Sequence, residues 1–202
     1  MAHRIYISPS LQPANLYADG SGSEQDHMQA VGQRVVELLR QHQEFIVFTN
    51  RVGMSMPEAV LESNNLAVHV HVAIHSNAGG GDGTLALHYP GSVQGEKLAK
   101  KIYKEVAPLS PGKDDGVRAD RDLYELNQTI APSTIIEVEF HDNKKLAAWI
   151  GPHHEEIAQA IYKGICNYFE VSPVKEQISE TIEVEVRIGN MVYQGKLKGI
   201  VV

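Results

Sequence analysis

Apolar positions along this chain switch between two periods, and the switches mark out its elements. Arg4 to Ser8 is a short β-prone run that ends in SPSLQPAN, where the prolines stop a central strand and open an irregular loop. Ser23 is a good N-cap with Asp26 three residues on, and Met28, Val31, Val35, Leu38 and Leu39 then recur at helical spacing. This predicts a helix from about Glu24 through Gln43. Glu44 to Thr49 reads as a second strand, Pro57 to Asn64 as a short helix, and Ala67 to His75 (AVHVHVAIH) as an alternating strand.

After the glycine-rich stretch Gly79 to Gly83, TLALHY predicts an edge or return strand and Gly95 to Ala107 an amphipathic helix. PGKDDGVRADRD, full of turn formers and charge, reads as a loop. STIIEVEF, from Ser133 to Phe140, is a further strand, and Lys144 to Phe169 is helical with a restart at Gly151-Pro152. Strands alternating with helices imply an α/β fold, a mostly parallel twisted sheet with helices on both faces. The catalytic fold is expected to close near Glu170. Residues 171–202 then form a linker and a C-terminal β-hairpin, with TIEVEVRI and MVYQGKLKGIVV flanking Gly189-Asn190. A lone hairpin is marginal, so it is expected to pack on the domain or on another subunit, as an oligomerisation element or part of a binding module.

Composition narrows the function. With 202 residues, 43% hydrophobic and 21% charged, the chain can bury one core plus a small appendage. A formal charge of -7 argues against a nucleic-acid partner, since phosphate binders concentrate bases on one face. Cys166 is the single cysteine, so no intrachain disulfide is available. No stretch approaches the roughly twenty apolar residues of a membrane span. The start, MAHRIYIS, lacks the apolar core of a signal peptide, so the expectation is a chain made in the cytoplasm that meets its target after release.

Chemistry concentrates at a few places. AIHSNAG puts His75 at the C-terminal end of a buried strand, where parallel sheets present ligands and catalytic groups. His69, His71 and His75 share strand parity, but His69 and His75 lie roughly 20 Å apart at about 3.3 Å per residue, too far for one metal ion. His69 and His71 are therefore read as structural. Glu24 opens the first helix, where the dipole favours a carboxylate in any case. IIEVEFHDN puts Glu137, Glu139 and His141 on one parity, and acids in a core strand are costly unless paired or metal-bound. Together His75, Glu24, Glu137 and His141 are what a hydrolytic zinc site needs: nitrogen and carboxylate ligands plus a separate carboxylate as proton acceptor.

Four segments, IYISPS, GSEQDHMQ, AIHSNAG and LYELNQTIAPSTIIEVEFHDN, in this order, resemble the zinc-dependent N-acetylmuramoyl-L-alanine amidases of the amidase-3 type, found in autolysins and phage endolysins. The resemblance spans about residues 3 to 170. It implies cleavage of the amide bond between the lactyl group of N-acetylmuramic acid and L-alanine in peptidoglycan, with Zn2+ as cofactor. It also implies Glu24 and His75 as zinc ligands and Glu137 as catalytic base. The family's further histidine, in a glycine-histidine-glycine turn after the first strand, is missing; here that turn reads Pro9-Ser10-Leu11-Gln12-Pro13. Two replacements are open by position: His141, just beyond Glu137 on the same parity, or His27, one helical turn after Glu24. His141 is preferred, because His27 points deeper along its helix and chains of this SPS type often read FHDN.

Glu139 is expected to orient His141 or to pair with a base. Asn77 and Arg118 are candidate substrate contacts, the latter in a segment resembling the family's basic loop beside the cleft. The competing readings are another zinc peptidase or deacylase, and a metal-free peptidoglycan-binding relative that lost zinc with its first histidine.

Overall fold

The structure is a computed structural model that describes residues 2–113 and 115–174 in full, together with the backbone of 181–188 and 191–198. Its central sheet has six strands: β1 (His3–Pro9), β2 (Phe45–Thr49), β3 (Val70–Asn77), β4 (Leu85–His88), β5 (Gly116–Ala119) and β6 (Ser133–Phe140), in the spatial order β2-β1-β3-β6-β4-β5. The first four strands in that order run parallel, β4 runs antiparallel to β6, and β5 runs parallel to β4. The mostly parallel α/β sheet expected from the strand and helix alternation is therefore present. A separate antiparallel pair, β7 (Thr181–Ile188) with β8 (Met191–Lys198), supplies the two strands of the expected hairpin, whose turn at Gly189-Asn190 lies outside the described residues.

Side-chain parity divides the sheet into two unequal faces. Ile5 and Ile7 of β1, Val70, Val72 and Ile74 of β3, and Ile136 and Val138 of β6 belong to the main core. That core is shared with α1 (Glu24–Leu39), α3 (Val93–Val106) and α6 (His154–Phe169). Residues of the other parity, Tyr6, His71, Ala73, Leu85, Leu87 and Ile135, face smaller clusters built with α2 (Met56–Asn65) and α4 (Tyr124–Asn127). Between β6 and α6 lie α5 (Lys144–Ile150) and a single 3-10 turn at Gly151–His153, the interruption expected at Gly151-Pro152.

Two glycines let layers meet closely. A Cβ at Gly164 would stand 2.5 Å from Ile102 Cα, so α3 and α6 approach backbone to backbone. A Cβ at Gly32 would stand 2.6 Å from Pro9 Cγ, which lets α1 lie against the end of β1. The stretch read as a loop, PGKDDGVRADRD, instead supplies β5, and Leu123 caps α4 directly after it. TLALHY accordingly is not an edge: β5 pairs with β4 on its outer side and takes the edge position.

Candidate active site

Strand register sets the first pair. His75 and Glu137 are Cα partners on the adjacent parallel strands β3 and β6, and equal parity turns both side chains to the smaller face near the C-terminal ends of the strands. The third group arrives from α1. Ser23 N-caps that helix in a full capping box with Asp26, which fixes the entry of the chain and sets Glu24 in the first turn. Glu24 is buried, and its Oε1 accepts a hydrogen bond from His75 Nδ1 at 2.8 Å.

The missing-histidine turn also reaches this point. Gln12 Nε2 lies 3.3 Å from His75 Nδ1, Gln12 Oε1 accepts from Asn15 Nδ2 at 3.0 Å, and Asn15 Nδ2 also donates to Glu24 Oε2 at 2.7 Å. Gln12, Asn15 and Glu24 are thus linked by hydrogen bonds beside His75 Nδ1. Sequence reading had left Gln12 unassigned, although it lies in the turn where the histidine was expected.

Glu125 was missed altogether. Its Oε2 accepts from His75 Nε2 at 3.1 Å, so the imidazole is gripped by a carboxylate at each nitrogen. Burial alone would pull the His75 pKa down, but the hydrogen bonds to Glu125 and Glu24 and the nearby charge of Glu137 raise it well above the ordinary histidine value. Against the effect of burial, His75, Asn15 and Ser10 hold Glu24 below the usual carboxylate range.

Glu137 differs from both. Its Oε2 is buried without a hydrogen-bond partner among the described residues. Burial, opposed by His75 and reinforced by the negative charges of Glu24 and Glu125, pushes its pKa up to about 7. Gln12, Met56, His75, Leu123, Tyr124, Glu125, Ile135 and Glu137 line a cavity of about 100 Å³. Two acids, an imidazole and an amide line it beside the apolar Met56, Leu123 and Ile135.

The other expected site residues lie apart from this cluster. His141 Nδ1 donates to the Ser76 carbonyl at 2.9 Å and lies 3.0 Å from Ser76 Oγ, while its ring stacks on Tyr17. Among the described residues no hydrogen bond or ion pair joins it to Glu24, His75 or Glu137. His27 is not brought to them either: its Nδ1 is 2.9 Å from His154 Nε2 and its Nε2 is 3.0 Å from Ser21 Oγ. Asn77 Oδ1 accepts from the Ala78 N–H, and Arg118 donates to Asp115 at 2.7 Å on the outer strand β5.

Glu139 departs from its expected role. Rather than orienting His141 or meeting a base, it accepts from the N–H groups of Gly83 at 3.0 Å and Gly112 at 2.9 Å and from Ser110 Oγ at 2.6 Å. Burying a carboxylate is tolerated there because its oxygens are satisfied by N–H and O–H donors, and the result is two loops pinned to the end of β6.

Whether these residues suit a divalent cation follows from their charges and contacts. Glu24, Glu125 and Glu137 surround a single imidazole, an excess of negative charge in a buried place. The short contact between Glu24 Oε1 and His75 Nδ1 requires a proton or a cation between two lone-pair-bearing atoms. The donor pair therefore fits a metal ion. Among the described residues no third His, Cys, Asp or Glu completes a ligand set with them, and Gln12 stands in that place.

A germination-specific N-acetylmuramoyl-L-alanine amidase of Bacillus subtilis is 25% identical over 127 residues, 60% of this chain and 54% of that protein. A cell wall amidase of Bacillus anthracis is 31% identical over 113 residues, 50% of this chain and 21% of that protein. The chain thus spans about half the length of the first relative and about a fifth of the second. The catalytic domain of CwlV, an amidase of Bacillus (Paenibacillus) polymyxa, superposes with a TM-score of 0.77 at 22% identity, covering 84% of this chain and 99% of that one, which establishes a shared fold. The N-acetylmuramoyl-L-alanine amidase family model matches residues 13–167, over three quarters of the sequence, and the chain belongs to that amidase-3 family.

Proposed function

We propose that this protein hydrolyses the amide bond between the lactyl group of N-acetylmuramic acid and the first L-alanine of the peptidoglycan stem peptide. One observation carries the reading: Glu137, a carboxylate with a buried oxygen left unpartnered, stands in register beside the His75–Glu24 pair. Glu24 and His75 would hold a zinc ion, which when bound supplies a Lewis acid that polarises the scissile carbonyl and makes water more acidic.

The chain's own part is proton transfer and enclosure. Glu137 accepts the proton of the attacking water at its unpartnered Oε2 and returns it to the leaving alanine nitrogen. Met56, Leu123 and Ile135 give the cavity apolar walls, which strengthen each electrostatic contact within it.

Incubating the protein with purified cell walls tests the proposal. New L-alanine amino termini are expected to appear without new reducing sugar ends, and Glu137→Gln is expected to slow their release by roughly 10²- to 10⁴-fold. Cleavage within the stem peptide in place of the lactyl–alanine bond would instead mark a peptidase. Full activity in a chelator-treated, metal-free sample would remove zinc from the account.

A second reading, wall binding without hydrolysis, draws on the hydrogen bonds of Glu24 with His75 and Asn15, which satisfy the would-be ligands with no ion present. Elemental analysis separates the two: stoichiometric zinc supports the hydrolase, and its absence with retained wall binding supports the second reading.

A further inference from the structure

The chemistry just described leaves one buried acid unused. Glu125 is 3% exposed, and its neighbours are two imidazoles and a hydroxyl rather than any lysine or arginine. Oε1 accepts from Ser8 Oγ at 2.6 Å and from His71 Nε2 at 3.2 Å, and His71 Nδ1 lies 3.0 Å from Ser63 Oγ. His71 is fully buried and stacks on Tyr6 at a centroid distance of 5.2 Å. Oε1 is thereby fixed from behind, and Oε2 is aimed at His75 Nε2. Glu24 and Gln12 meet the same ring at its other nitrogen, Nδ1.

We infer that Glu125 is a positioning residue: by accepting the His75 Nε2–H it fixes the ring's tautomer and plane, so that Nδ1 is the nitrogen offered to a metal ion beside Glu24. The inference rests on the zinc reading above. Imidazole ligands commonly donate their second N–H to a carboxylate, which raises the basicity of the ligating nitrogen and holds the ring in orientation. Here the carboxylate comes from α4, and Ser8 on β1 and His71 on β3 keep it in place. With a glutamine where a third ligand is expected, the His75–Glu24 pair has more to gain from a ring whose plane is already held and whose Nε2 proton is already engaged.

The test uses the whole chain, stripped of metal and titrated with zinc against a chromophoric chelator. Glu125→Gln is expected to bind zinc about 10- to 100-fold more weakly than wild type. Ser8→Ala removes one prop from Oε1 but leaves the Oε2 contact, so its affinity is expected to stay within a few-fold. Long-range ¹H–¹⁵N spectra of the zinc-loaded wild type are expected to show His75 protonated at Nε2, with that signature altered in Glu125→Gln. Melting of the metal-free variants reports on folding. If Glu125→Gln does not fold, Glu125→Asp, which keeps the charge but withdraws the oxygen, is expected to show the affinity loss.

Zinc affinity unchanged in a folded Glu125 variant would overturn the inference while leaving the zinc reading intact. So would affinity losses in Glu125→Gln and Ser8→Ala that merely follow their losses of metal-free stability. A wild-type chain that takes up no zinc would overturn the metal reading and this inference with it.

Discussion

At the scale of single residues, the cluster around His75 trades stability for chemistry. Glu137 is held with one oxygen unpartnered at a pKa of about 7, above its ordinary value of 4.5, so the folded state favours its neutral form. The stabilising neutral form is fully present below about pH 4.5, and its contribution is lost as pH rises through about 7. Glu137→Gln is therefore expected to stabilise the metal-free protein by on the order of 2 kcal/mol at pH 8 and to change little at pH 4, as read by denaturant unfolding at both values. Gln12 supports a second prediction. Because its amide already meets His75 Nδ1, Gln12→His would place an imidazole where the family carries one, and zinc affinity is expected to rise at least tenfold in chelator competition. Unchanged affinity would mean that the turn at Pro9–Pro13 cannot deliver a ligand.

Of these residues, His75, Glu24 and Glu137 are candidates in the sequence by position, and the resemblance to the amidase family is what implies roles for them. His75 ends a run of β-branched residues, Glu24 follows an N-cap, and Glu137 is an acid on a core strand. Glu125 carries no such mark. It follows a charged, turn-rich stretch, and its partners Ser8, His71 and His75 lie 117, 54 and 50 residues away, separations that only the folded chain closes.

At the scale of elements, α1 is the device that delivers Glu24. Removing its cap with Ser23→Ala is expected to cost about 1 kcal/mol, a drop of roughly 2–4 °C in melting temperature, and to lower wall-cleaving activity because the adjacent Glu24 loses its fixed entry. Close contact of α3 and α6 supplies a prediction remote from the site. Gly164→Ala must push a methyl against the Ile102 backbone, with an expected cost of about 1–3 kcal/mol in denaturant unfolding. Elements with strong periodicity, α1, α3 and β6, lie where apolar spacing put them. The short β5 and α4 were unreadable because four residues span too little of either period, and both are held by tertiary partners, β4 for the first and β6 with α2 for the second.

At the scale of the molecule, the family match ends at residue 167, which leaves the C-terminal part of this sequence outside it. A chain cut after Val174 is expected to keep the thermal transition of the catalytic body within a few degrees, as followed by circular dichroism; a collapse would show that residues beyond this point brace the body. Val174 is a suitable limit because its N–H donates to Tyr162 on α6 at 2.8 Å and so closes the last described contact of the body.

While the roles of Glu24, His75 and Glu137 were implied by the resemblance of four segments to a known family, local information, the alternation along β3 and β6, the cap before α1 and the break at Gly151-Pro152, by itself determined the α/β class and the order of the main elements. Those features depend on residues a few positions apart, which sequence displays directly. Strand order, the register that sets His75 beside Glu137, the arrival of Gln12 beside His75 and the grip of Glu125 on His75 were decided only by the tertiary structure. Each of these joins segments far apart in the chain, and burying them together selects one pairing among many that local pattern leaves equally open.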